Sequence, residues 1–110
     1  MTWIFSEDTD GQPSSISLEL AAAARGMGQP ISAFFVGPAS DSAFDTLGEH
    51  GVATVYHLDP GDQLPAAAAA AALADLATEH SPTAILFGLA YTDRDVAGRL
   101  SARTGLPVLS

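Results

Sequence analysis

The stretch "TDRDVAGRLSARTGLPVLS", residues 92–110, decides the fold. Thr92 with Asp95 three residues later has the pattern of a capping box, so Thr92 is expected to cap a helix. Asp95 and Arg99 are spaced to pair across one turn of it. Gly105 marks its end, and "LPVLS" (106–110) reads as the start of a strand. The residues before it, "TAILFGLA" (83–90), form the most hydrophobic run in the chain. Strand, helix and strand in immediate succession define a βαβ unit, whose strands are parallel.

The same alternation extends back to the start. "TWIFSE" (2–7) reads as a buried strand, followed by the loop "DTDGQPSS". A helix is expected over 14–26, with Ile16, Leu20, Ala24 and Met27 near one face. "ISAFFVG" (31–37) is a near-continuous apolar run, as a parallel strand buried on both faces should be. A short helix follows over 40–50, with Phe44 and Leu47 inward and Gly51 as its cap, and then a strand over 53–59. Pro65 suits the first turn of a helix over 66–80, whose alanines favour helix and close packing.

The order β-α-β-α-β-α-β-α-β predicts one α/β domain over residues 1–110. It is an open parallel sheet of about five strands with helices on both faces, a three-layer α/β/α sandwich with right-handed crossovers. The expected strand order is 3-2-1-4-5, in the Rossmann-like manner of the adenine nucleotide alpha hydrolase folds, with strands one, two and four at its centre.

Composition narrows the functions available. Thirteen acids face four arginines and no lysine, for a net charge of −9. Such a surface disfavours nucleic acid and anionic membranes as partners. The longest apolar run, "AAAAAAALADLA" (66–77), is too short and too weakly hydrophobic to span a bilayer. No signal peptide is recognisable, and the absence of cysteine fits a reducing compartment, so a cytoplasmic location is expected. Without cysteine there is no thiol nucleophile, and the spacing of His50, His57 and His80 does not suggest a metal site.

A ligand of such a sheet is expected outside the carboxyl ends of strands one and four, where "EDTDGQPSS" (7–15) and "AYTDRD" (90–95) meet. Neither is a phosphate loop, since no G-x-G-x-x-G or G-x-x-x-x-G-K-[ST] occurs. Asp8, Asp10, Asp93 and Asp95 are expected to line the crevice and repel a pyrophosphate. Glu7, Asp8 and Asp59 have the outline of a phospho-acceptor receiver site, but the lysine it needs is missing. Trp3, Phe34, Phe35, Tyr56 and Phe87 belong to the core or an interface. No catalytic, cofactor-binding or metal-binding residue is assigned. The candidates for partner contact are Tyr91, which follows the fourth strand, and Arg94, Arg99 and Arg103 on the last helix.

Three segments carry a resemblance: "SLEL" (17–20), "GEHGVATVYHLD" (48–59) and "RDVAGRLSARTGLPVLS" (94–110). Together with "WIFSEDTDGQPSSISLELAAAAR" (3–25), they make nearly the whole chain similar to the N-terminal domain of the electron transfer flavoprotein alpha subunit. That resemblance implies a component of an electron carrier and not an enzyme. It implies a heterodimer with a beta subunit, shuttling electrons from flavin dehydrogenases, such as those acting on acyl-CoA in fatty acid β-oxidation, to a respiratory acceptor. FAD would be held by a C-terminal alpha domain and AMP by the beta subunit. The family's alpha subunit continues for about 100–200 residues more. The chain is therefore expected to be a cut or naturally shortened one, lacking the FAD-binding domain, inactive and colourless alone. The alternative is a free-standing nucleotide binder of the universal-stress type, whose glycine-rich phosphate segment is replaced here by "GLAYTDRD" (88–95).

Overall fold

The strand β1, Thr2–Thr9, runs through the middle of the sheet. Its side chains alternate, so Trp3 and Phe5 point to one face and Ile4 to the other, each no more than 1% exposed. In the computed structural model, residues 2–104 are described. The expected fifth strand (106–110) and the Gly105 cap lie outside the described residues.

β1 continues into a two-residue strand, β2 (Gln12–Pro13). The chain then forms α1 (Ser15–Arg25), β3 (Ile31–Val36), α2 (Asp41–Glu49), β4 (Val52–Leu58), α3 (Pro65–His80), β5 (Ala84–Leu86) and α4 (Tyr91–Thr104). β3 lies parallel to β1 from Thr2↔Ile31 to Glu7↔Val36, and β4 lies parallel to β3. β5 lies parallel to β1 from Thr2↔Ala84 to Ile4↔Leu86. The parallel part thus runs β4-β3-β1-β5, the expected order 3-2-1-4. β1 and β3 are central; among the described residues β5 has one neighbour.

Helices cover both faces, giving the α/β/α layering. α3 and α4 pack with Trp3, Phe5, Phe34, Ile85 and Phe87 on one side. α1 and α2 pack with Ile4, Ala33 and Phe35 on the other. The alanines of α3 explain its close fit: Ala66, Ala69, Ala70, Ala74 and Ala77 are buried with Leu73, and such small side chains let the helix approach both sheet and α4. Ser14 and Ser40 cap α1 and α2, accepting bonds from the Ser17 and Ala43 amides. Pro65 occupies the first turn of α3, as its missing N–H permits.

Four expectations are corrected. The segment 8–13 is not a plain loop but an antiparallel hairpin, making the sheet mixed. Its tip is Asp10-Gly11, with φ of +53° and +83°, the two positive angles a primed turn needs. Gln12 then bonds Ser42 and Thr46 of α2, while the Ser40 hydroxyl donates to the Gly11 carbonyl at 2.9 Å. Second, the strand expected over 83–90 keeps its ladder only over 84–86. Beyond the Ile4↔Leu86 rung, that edge of β1 is taken by the returning hairpin, where the Ser14 amide donates to the Glu7 carbonyl at 3.0 Å. Third, α4 begins at Tyr91, so Thr92 lies inside the first turn and is not its cap. Fourth, Met27 falls beyond the end of α1 and is 43% exposed.

Phe35 is fully buried and edge-on to Phe44, with ring centroids 5.5 Å apart. Phe35→Ala should cost about 3–5 kcal/mol by leaving a cavity between β3 and α2. Urea denaturation measures it, and a loss below about 1 kcal/mol would contradict this packing.

Candidate functional site

The strand order reverses between β1 and β5, so the crevice lies at their carboxyl ends. Glu7 comes from β1, and Gly88 follows β5. Thr92 and Asp93 come from the first turn of α4, where the helix dipole favours negative charge. The Thr92 hydroxyl donates to the Glu7 carboxylate. Asp93 is only 4% exposed, and its Oδ2 accepts the Gly88 amide at 2.6 Å. On the other side, Ser17 of α1 accepts the Glu7 amide at 3.4 Å and bonds Ser14 at 2.8 Å.

Ile16 of α1 lies against Gly88. A Cβ placed on Gly88 would stand 2.1 Å from Ile16 Cγ2 and 2.9 Å from Asp93 Oδ2, so only glycine fits there. The place where a ligand anion would meet a helix N-terminus is therefore taken by the protein's own carboxylate.

Burial pushes the Glu7 carboxyl above its usual value; the Thr92 bond opposes this, and the charges of Asp93 and Asp8 add to it. Burial likewise raises Asp93, against the pull of the Gly88 amide and its own. Both folded carboxyls thus hold their protons to higher pH than in the unfolded chain. Their contribution to stability is whole below the ordinary carboxylate range and is lost as pH rises through the raised values.

The four acids expected in the crevice separate. Asp93 is in it. Asp8 accepts the Gly11 amide at 3.0 Å within the hairpin, Asp10 is exposed at the turn, and Asp95 pairs with Arg99 at 2.8 Å. Glu7, read from sequence only as part of an outline receiver site, is the second crevice acid. The signal for this arrangement was Gly88, a glycine inside the strand expected over 83–90, which marks a close approach.

The partner candidates do not share one face. Tyr91 is 85% exposed and, with Arg99, lines a groove of about 270 Å³ beside Leu64 and Pro65. Arg94 lines a different hollow with Phe87, Leu89 and Ser101, and Arg103 a third, beside Asp75 of α3. The histidines are dispersed. His50 bonds the Thr46 carbonyl, His57 bonds the Gly37 carbonyl, and His80 stacks near Tyr56. Among the described residues no group of His, Asp and Glu is placed to hold a metal, and no helix is long and apolar enough to cross a membrane.

Sheet order and layering define a Rossmann-like α/β domain whose switch-point crevice is filled by its own side chains. Residues 2–110 match the electron transfer flavoprotein domain family, and the chain belongs to that family, as an alpha-subunit N-terminal domain. It is 35% identical over 107 residues to the electron transfer flavoprotein subunit alpha of Mycobacterium leprae, covering 94% of this chain and 33% of that one. It is 30% identical over 112 residues to the subunit alpha of Thermoanaerobacterium thermosaccharolyticum, covering 94% and 34%. It is 31% identical over 112 residues to the protein FixB of Clostridium saccharobutylicum, covering 94% and 33%. The chain spans about a third of the length of these curated relatives.

Glu7→Gln keeps an acceptor for Thr92 and removes the charge. At pH 7 it should melt above the parent chain, with the difference shrinking as pH falls and vanishing below the ordinary carboxylate range, where Glu7 itself is protonated in both states. Melting curves across that range check it, and a difference independent of pH would refute the assignment. Asp93→Ala leaves the half-buried Gly88 amide without its acceptor and should cost about 1–3 kcal/mol, read from urea denaturation.

Proposed function

We propose that this domain is the alpha-subunit N-terminal part of a heterodimeric electron carrier, acting by packing against a beta subunit and supporting a flavin site held elsewhere. The family match across residues 2–110 carries this reading. The filled crevice supports it, because Ile16, Glu7 and Asp93 occupy the position a nucleotide phosphate would need. Redox chemistry of this kind belongs to the cofactor, and the protein supplies orientation and packing. In this reading FAD is bound by parts of the family protein other than residues 1–110, and these residues carry no electrons alone.

The assembled carrier takes electrons from flavin dehydrogenases, acyl-CoA dehydrogenases among them, and passes them to a respiratory acceptor in the cytoplasm. Tyr91 and Arg99 form the core of the contact with the beta subunit, and Arg94 and Arg103 extend it. Exposed Leu64 and Leu89, at 73% and 67%, flank Tyr91 and Arg94 respectively and supply apolar area beside the charges. Aromatic and arginine side chains with apolar neighbours are the usual anchors of such contacts.

Purified chain should show no flavin absorbance, retain no added FAD on gel filtration, and co-elute with a family beta subunit. Tyr91→Ala should weaken that complex by at least about tenfold, or 1.4 kcal/mol. Stoichiometric FAD on the chain alone, or a melting shift with ATP, would instead favour the free-standing nucleotide binder of the universal-stress type.

A further inference from the structure

We infer that Asp10-Gly11 is a self-modifying site, at which Asp10 isomerises to isoaspartate with Asp8 as the base. Asp10 is the one aspartate followed by glycine, and the chain contains no asparagine. Glycine is the least hindered neighbour for ring closure, and a Cβ on Gly11 would meet no heavy atom within 4 Å beyond its chain neighbours Asp10 and Gln12. Asp10 is exposed, so water reaches it.

The hairpin adds what a bare Asp-Gly pair lacks. Gly11 N–H donates to Asp8 Oδ1 at 3.0 Å, within the range required of a general base and the proton it removes. Asp8 takes that proton as the Gly11 nitrogen attacks Cγ of protonated Asp10. The N–Cγ bond forms, the Cγ–OH bond breaks, and the hydroxyl leaves as water with the proton returned from Asp8. Water then adds to the main-chain carbonyl carbon of Asp10, and its bond to the Gly11 nitrogen breaks. The chain now runs through Cβ and Cγ, with a free α-carboxylate. One water is lost and one regained, so mass is unchanged and nothing is oxidised or reduced.

The product carries an extra methylene in the main chain at a turn held at φ +53° and +83°. That turn sets the Thr9↔Gln12 register and presents the Gly11 carbonyl to Ser40 and the Gln12 amide to α2. Isomerisation therefore frees the hairpin from α2. Asp41-Ser42, the next most open aspartyl pair, lies in the first turn of α2, whose helical main chain keeps its amide away from the side chain.

The test is incubation of folded chain at neutral pH, with isoaspartate measured by protein isoaspartyl methyltransferase and located by peptide mapping. Asp8→Asn retains an acceptor for Gly11 N–H but not a base. The expected result is isoaspartate at Asp10, several-fold slower in Asp8→Asn, with circular dichroism showing both chains folded and Asp10→Ser giving no signal. Absence of isoaspartate at Asp10, or equal rates in the parent chain and Asp8→Asn, would overturn the inference.

Discussion

Everything in this domain depends on how β1 satisfies its backbone. Both its faces are buried from Thr2 to Ser6, so each amide and carbonyl there needs a partner from the chain itself. One edge is straightforward, since β3 pairs with it for six residues. The other is divided. β5 serves it from Thr2 to Ile4, the Ser17 hydroxyl and the Ser14 amide serve Glu7, and β2 serves Asp8 and Thr9. That division shortens β5, directs the Gly88 amide to Asp93, and brings Ile16 over Gly88. Ile16 stands over Gly88 because the hairpin and α1 complete β1.

The periodicity of the sequence was enough to place the layers. Continuous apolar runs at 2–7 and 31–37 mark strands buried on both faces, and the alanine run marks a helix that must lie close to its neighbours. These signals survive because they reflect burial, which the fold cannot do without. What periodicity could not place was local hydrogen bonding. "TDGQ" (9–12) contains an Asp-Gly pair, the strongest short-range hairpin signal, yet it stands among polar residues with no alternating flanks on its far side. Its second strand is two residues long and is stabilised by Gln12 on α2, a contact 30 residues distant. The cap of α4 failed for a similar reason. Thr92 has the right spacing from Asp95, but its hydroxyl is drawn to Glu7, a tertiary partner that a local pattern does not contain.

The candidate site was legible in position but not in content. Topology alone assigns the crevice to the ends of strands one and four. Which acids enter it is set by where α4 begins and by the hairpin that withdraws Asp8 and Asp10. Counting acids near the crevice gave a repulsive wall of four. The folded chain has two, Asp93 bonded to the Gly88 amide and Glu7 bonded to the Thr92 hydroxyl, with Asp95 paired to Arg99 away from them.

That difference matters for what a phosphate would meet at this end of the sheet. Repulsion by exposed carboxylates is screened within about 10 Å at 0.1 M salt, and a ligand could overcome it with a bound cation. Occupation is harder to reverse. To admit a phosphate at the N-terminus of α4, Asp93 would have to leave the Gly88 amide, and Ile16 would have to leave the glycine it covers. Removing Asp93 exposes an unpaired amide, and moving Ile16 displaces the first turn of α1, which Ser14 holds in place. The helix dipole that would attract a phosphate already stabilises Asp93, so the ligand gains only what the protein loses. At the strand ends where sheets of this kind take their ligands, Asp93 and Ile16 of this chain stand around Gly88.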